Sequence, residues 1–177
     1  MNLRRVICSL LLLFAYALLP AASRAQDTKD NPSVTAQLNA AKPTLAKIKK
    51  DAADMESYSR TNGLSWRTHS TALEKIKADV NELQQNMRGL QSHRTIASPW
   101  QQDAIDRIAA LANDLATNMN AAIAQLSKSK SQPTAPPYPD YLKANARIAN
   151  DLSDEINGVI DYGEAKAKMD SLAKQLS

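Results

Sequence analysis

The chain has 177 residues, 44% of them hydrophobic but only 5% aromatic, with four glycines and a single cysteine. A composition rich in Ala, Leu, Ile, Lys, Asn, Asp and Gln favours helix and is poor in the residues that strands prefer, and one thiol excludes an intrachain disulfide framework. The formal charge of +4 comes from 22 basic and 18 acidic residues; without Arg4, Arg5 and Arg24 near the N-terminus it falls to +1, so no field for binding nucleic acid is expected.

Arg4 and Arg5 precede an apolar run from Val6 to Leu19, which Pro20 ends. Ser23-Arg24-Ala25 then places small residues at the −3 and −1 positions of a cleavage site. Charge, short apolar core and small-residue site make residues 1–25 a cleaved signal peptide, with Ala22 as the alternative cleavage point. The run falls short of the roughly 20 residues that a membrane-spanning helix needs. The expected location is therefore periplasmic or secreted. Cys8 precedes most of the apolar core, so it is read as a small apolar residue that leaves with the signal, not as a lipid-modified first residue. The mature chain then carries no thiol.

Residues 26–32 are polar and are expected to be disordered. A first helix, about 33–61, carries the seam Leu38, Ala41, Leu45, Ile48, Ala52, Met55, with Pro43 expected to kink it or to start its main part. Asn62-Gly63 is its expected left-handed stop. A second helix, about 65–92, is capped by Ser65 and runs through Trp66, His69, Leu73, Ile76, Val80, Leu83, Met87 and Leu90 in alternating steps of three and four. A third, about 99–128, opens on Ser98-Pro99-Trp100-Gln101, a cap, a proline at the first helical position and a capping-box glutamine. Its seam is Ile105, Ile108, Ala112, Leu115, Met119, Ala122 and Leu126, widened by Leu111 and Ile123.

Residues 127–140 form a Ser/Lys- and Pro-rich linker. A fourth helix, about 139–176 with Pro139 at its first position, carries Leu142, Ile148, Leu152, Ile156, Val159, Met169, Leu172 and Leu176, with weak points at Gly158 and Gly163 where it is expected to bend or break. Charges lie off the seams in i,i+4 pairs: Lys47–Asp51, Lys50–Asp54, Lys75–Asp79, Asp103–Arg107, Arg147–Asp151 and Asp170–Lys174. The expected fold is all-α, an antiparallel up-down bundle of about four long amphipathic helices forming one domain over 33–177.

His69 is the one polar side chain on a seam. Met55 lies about as far before the Asn62-Gly63 turn as His69 lies after it, and Met119 arrives from the third helix, so a His/Met ligand set for haem or soft copper is the carrier-type reading of these residues. Against it stand the absence of a Cys-x-x-Cys-His motif, of a histidine in the last helix, and of a carboxylate three residues before either histidine. No cofactor or metal is expected; His69 is read as a partly buried histidine near a bundle end and His93 as a solvated turn residue. Asp151, Asp154, Glu155, Asp161 and Glu164 cluster on the fourth helix and are read as a solvated face, since a closely packed bundle offers no cleft between paired acids. With no nucleophile elbow, phosphate loop or zinc-protease helix, enzyme activity is not expected.

Through Ser98-Pro99-Trp100-Gln101-Gln102-Asp103-Ala104-Ile105-Asp106-Arg107, and again at Asp161-Tyr162-Gly163, the chain resembles uncharacterised secreted helical-bundle proteins of bacteria. The resemblance spans most of the mature chain and implies export and a helical fold; it brings no activity with it. Two functions from different classes follow: a non-catalytic protein-interaction or structural module of the cell envelope, or a carrier of lipid, metal or haem in the bundle interior. Binding at a membrane surface is not favoured, because narrow regular seams suit helices that cover one another. The partner protein is left open, as is the choice between monomer and homo-oligomer.

Overall fold

The computed structural model describes residues 29–61 and 63–176; the expected leader and cleavage site, Cys8 and Asn62 lie outside them. The described regular structure is α1 (Pro32–Tyr58), α2 (Trp66–Ser92), a 3-10 turn at Arg94–Ile96, α3 (Pro99–Lys128) and α4 (Tyr138–Leu176). Helix α1 packs on α2 and α4, and α3 packs on α2 and α4, which closes an antiparallel four-helix ring.

The starts of α1, α2 and α3 have local chemical causes. Asn31 Oδ1 accepts from the Ser33 amide at 2.9 Å, with Pro32 in the first turn of α1. Ser65 Oγ accepts from the Thr68 amide at 3.2 Å. At α3, Gln101 Oε1 accepts from the Ser98 amide at 3.2 Å, the return half of a capping box. The same buried amide reaches a second helix: Oε1 accepts from Asn31 N at 2.8 Å and Nε2 donates to Asn31 O at 3.1 Å. The beginnings of α1 and α3 are thus tied through one side chain. Lys29 to Pro32, expected to be loose, are held with them, because the Asp30 carboxylate accepts from Trp100 Nε1 at 2.7 Å and pairs with Lys166 at 3.3 Å.

The seams of α1, α2 and α3 are buried along their length, with Trp66, Leu111 and Ile123 partly covered at the margins. Helix α1 stops at Tyr58, earlier than expected, and Gly63 adopts its positive φ of 90° within the connection that follows. The helix runs through Pro43 without a break, and α4 is continuous through Gly158 and Gly163. Tertiary packing along both helices outweighs the local cost of those residues, about 3 kcal/mol for an interior proline and about 1 kcal/mol for a glycine.

The end of α4 departs from its expected seam. Met169, Leu172 and Leu176 are 70%, 50% and 89% exposed. Ile156, Val159, Tyr162 and Ala165 are spaced by three successive steps of three. Each step falls about 60° short of a full helical turn, so together they carry the apolar stripe to the opposite side of the helix. Meanwhile α1 begins at Pro32, whose chain neighbours Asp30 and Thr35 lie beside Lys166 and Gly163. The last turns of α4 therefore overhang the bundle, with their apolar side facing outward.

The charged pairs divide by neighbour. Lys50–Asp54 at 2.7 Å and Arg147–Asp151 at 2.9 Å form as spaced. Lys75 instead bridges to Asp51 on α1 at 2.7 Å, and Arg107 crosses from α3 to Glu155 on α4 at 2.8 Å. Among the described residues no helix is long and apolar enough to cross a membrane.

Candidate functional site

His69 is fully buried, deeper than its expected half-exposed place at a bundle end. Its Nδ1 lies 3.2 Å from the Tyr138 hydroxyl of α4, and the two rings meet edge to face at 5.5 Å. Tyr58 of α1 supplies a second edge-on ring at 6.2 Å. Nε2 has no hydrogen-bond partner among the described residues. Burial pushes the imidazole below its ordinary value and the Tyr138 hydroxyl above its own. Lys130 of the linker stands 4.9 Å over the Trp66 ring, one helical turn before His69, and holds the linker across this end.

The two methionines do not share this layer equally. Met55 sits one turn before Tyr58 on α1 and is buried. Met119 sulfur instead receives the Asn145 amide at 3.9 Å, and Asn145 lies two turns, about 10 Å, along α4 from Tyr138. His69 and Met119 therefore occupy different levels of the bundle. His93 caps α2 with Nδ1 2.9 Å from the Gly89 carbonyl and 3.1 Å from Gln37 Nε2, so it is a partly buried capping residue and not a solvated one. No group of three or more His, Cys, Asp or Glu placed to hold a metal occurs among the described residues.

A concavity lies between α3 and α4, where a clefted surface was not expected; another of similar size, about 700 Å³, lies between the start of α1 and the end of α4. In the first, Trp100, Asp103, Arg107 and Leu111 form one wall, and Asp151, Asp154, Glu155, Gly158, Val159 and Tyr162 form the other, around about 710 Å³. Trp100 and Tyr162 meet edge to face at 4.8 Å and mark the groove's end nearest the overhang. The Arg107–Glu155 bridge spans it. Gly158 leaves the wall open, since a Cβ there would meet nothing within 4 Å. Of the five acids expected on a solvated face, Asp151, Asp154, Asp161 and Glu164 are exposed and Glu155 is partly buried; Asp151, Asp154 and Glu155 also rim this groove.

Its chemistry is that of contact. Apolar surface from Leu111, Val159 and the two aromatic rings is available to a guest side chain; of the rim carboxylates, Glu155 is engaged by Arg107 and Asp151 by Arg147, and neither histidine lines the groove. Sequence reasoning missed Trp100, Leu111, Gly158 and Tyr162 as a set. The signal was the glycine standing at i−4 from Tyr162 on one side of α4, which reads as a helix weakness until the neighbouring helix is known.

Compared with protein-family models, curated proteins and solved structures, the chain matches none.

Proposed function

We propose that this protein is a non-catalytic, exported helical-bundle module of the cell envelope that works by docking a helical segment in the α3–α4 groove. The observation that supports the reading most is the continuity of that groove with the exposed apolar stripe on the overhang, through Tyr162. Contiguous exposed apolar surface with a polar rim is the usual character of a protein-interaction site. The aromatic pair at the groove's end supplies the kind of anchor that dominates such contacts.

The test is site-specific photocrosslinking. A photoreactive residue in place of Gly158, in the exported protein of the native host, should yield an adduct of discrete mass, and one in place of Lys75, at the α1–α2 contact on the opposite side of the four-helix ring, should not. Absorbance and lipid extraction of the purified protein run alongside. A chromophore or stoichiometric lipid without any adduct would replace the interaction reading with the carrier.

A further inference from the structure

One side of α4 carries a continuous heptad-like series that lies off the bundle core: Asp151, Glu155, Gly158, Tyr162, Ala165, Met169, Leu172, Leu176, in alternating steps of four and three, with Glu155 and Tyr162 touching Arg107 and Trp100 of α3 at its margin. Its first half is a wall of the groove, and its second half is the exposed stripe of the overhang. A surface that holds both a socket and its plug on one helix is self-complementary. We infer that the occupant of the groove is the overhang of a second copy, two chains pairing α4 against α4 in antiparallel fashion about a two-fold axis near Tyr162 and Ala165.

The lengths agree with this. The overhang from Gly163 to Leu176 spans about 21 Å and the groove from Asp151 to Tyr162 about 18 Å, at roughly 1.5 Å per residue. With Tyr162 set opposite Ala165 of the second copy, Met169 falls opposite Gly158, where the missing side chain leaves room for it. Leu176 then reaches the level at which Leu111 lines the groove.

Charge fits the same setting. In antiparallel helix pairs the residues just before the first core position of each heptad face one another. Here those are Asp161 of one copy and Lys168 of the other, both exposed, and symmetry makes the contact twice. Each copy gives one helix and one groove, which doubles the buried area toward the roughly 1,200–2,000 Å² of specific interfaces. An isologous contact of this kind closes at two copies and leaves no open end for a filament.

The inference rests on the docking reading of the groove, and sedimentation of the exported protein over about a hundredfold concentration range tests it separately. A monomer–dimer equilibrium is expected. Leu172→Glu on the plug and Gly158→Gln in the socket should each weaken it at least about tenfold, with helix content by circular dichroism unchanged because both positions are exposed. Asp161→Lys and Lys168→Asp should each weaken the dimer by placing like charges together, and the double exchange should restore it. A monomer at every concentration, a dimer indifferent to Leu172→Glu and Gly158→Gln, or a double exchange no tighter than its singles would each overturn the proposal. If the chain is monomeric while the Gly158 crosslinker captures an adduct of a different mass, self-pairing falls and the docking reading stands. A monomer with no adduct overturns both.

Discussion

The hydroxyl of Tyr138 stands 3.2 Å from Nδ1 of His69, and neither side chain has exposed surface. A residue on α2 and one at the first turn of α4 thus pair through Nδ1 inside an otherwise apolar layer, while Nε2 has no partner among the described residues. Tyr138→Phe should strip the imidazole of its partner and cost about 1–3 kcal/mol, the usual penalty for an orphaned buried polar group. His69→Leu should cost a similar amount by orphaning the hydroxyl, a penalty that Tyr138→Phe should relieve in the double variant. Urea denaturation of the two single variants and the double variant measures this. Additive losses in the double variant would mean the two groups are not coupled.

The same pair sets a pH dependence. Burial holds His69 below its ordinary 6.5 in the folded chain. The unfolded chain therefore takes up the proton first. Stability from this group is complete above 6.5 and is lost as the pH falls from there through the folded value. The titratable side chains meeting the ring are Tyr58 from α1 and Tyr138 from α4; burial raises the Tyr138 hydroxyl, which stays neutral throughout that range. The denaturation midpoint should be level above about pH 7 and decline between about 6.5 and 5, before most carboxylates titrate. The His69→Leu/Tyr138→Phe protein should lack that segment of the decline; an unchanged slope would assign it elsewhere.

Core and surface substitutions on α2 should separate. Leu83 is fully buried, and Leu83→Ala should cost about 2–5 kcal/mol. Lys75→Ala should not be silent, as a purely solvated lysine would be. It removes the bridge to Asp51, whose side chain is only 12% exposed, and about 1 kcal/mol is expected after allowance for the exposed ammonium. Thermal denaturation of both variants, with Lys75→Ala/Asp51→Ala to close the cycle, checks the order.

Gln101→Leu should be more damaging than a volume-matched change suggests. It leaves the Asn31 amide, the Asn31 carbonyl and the Ser98 amide without the partner that Gln101 gives them. A loss of about 1–3 kcal/mol is expected. Hydrogen exchange should quicken first at the starts of α1 and α3, and uniform loss of protection across the bundle would contradict a local tie.

Much of this architecture was legible from spacing. The seams of α1, α2 and α3 keep an alternating step of three and four, and each is covered on the side that spacing selects. On α4 the spacing and the burial part company. Met169, Leu172 and Leu176 look like a continuation of Val159 only when positions are counted without phase; the three successive steps of three at Ile156 to Ala165 turn the stripe away from the core. The bridges Lys75–Asp51 and Arg107–Glu155 were illegible for another reason, since i,i+4 partners exist on the same helix and only the packing decides which carboxylate is nearer. The groove was hidden likewise, because it is made by two helices at once.

The positions of the two polar layers have one more consequence. Seams built from repeating three-four steps look nearly alike after a seven-residue slide, with one leucine or isoleucine replacing another at little cost. Sliding α4 by one heptad would set Asn145 where Tyr138 now meets His69. Sliding α3 would carry Ile108 to the place where Gln101 now meets Asn31. Either slide strands buried polar atoms at about 1–3 kcal/mol apiece, which the apolar layers alone would scarcely oppose. The His69–Tyr138 contact at one end and the Gln101–Asn31 contact at the other therefore act as index marks, selecting a single alignment from a ladder of near-equivalent ones.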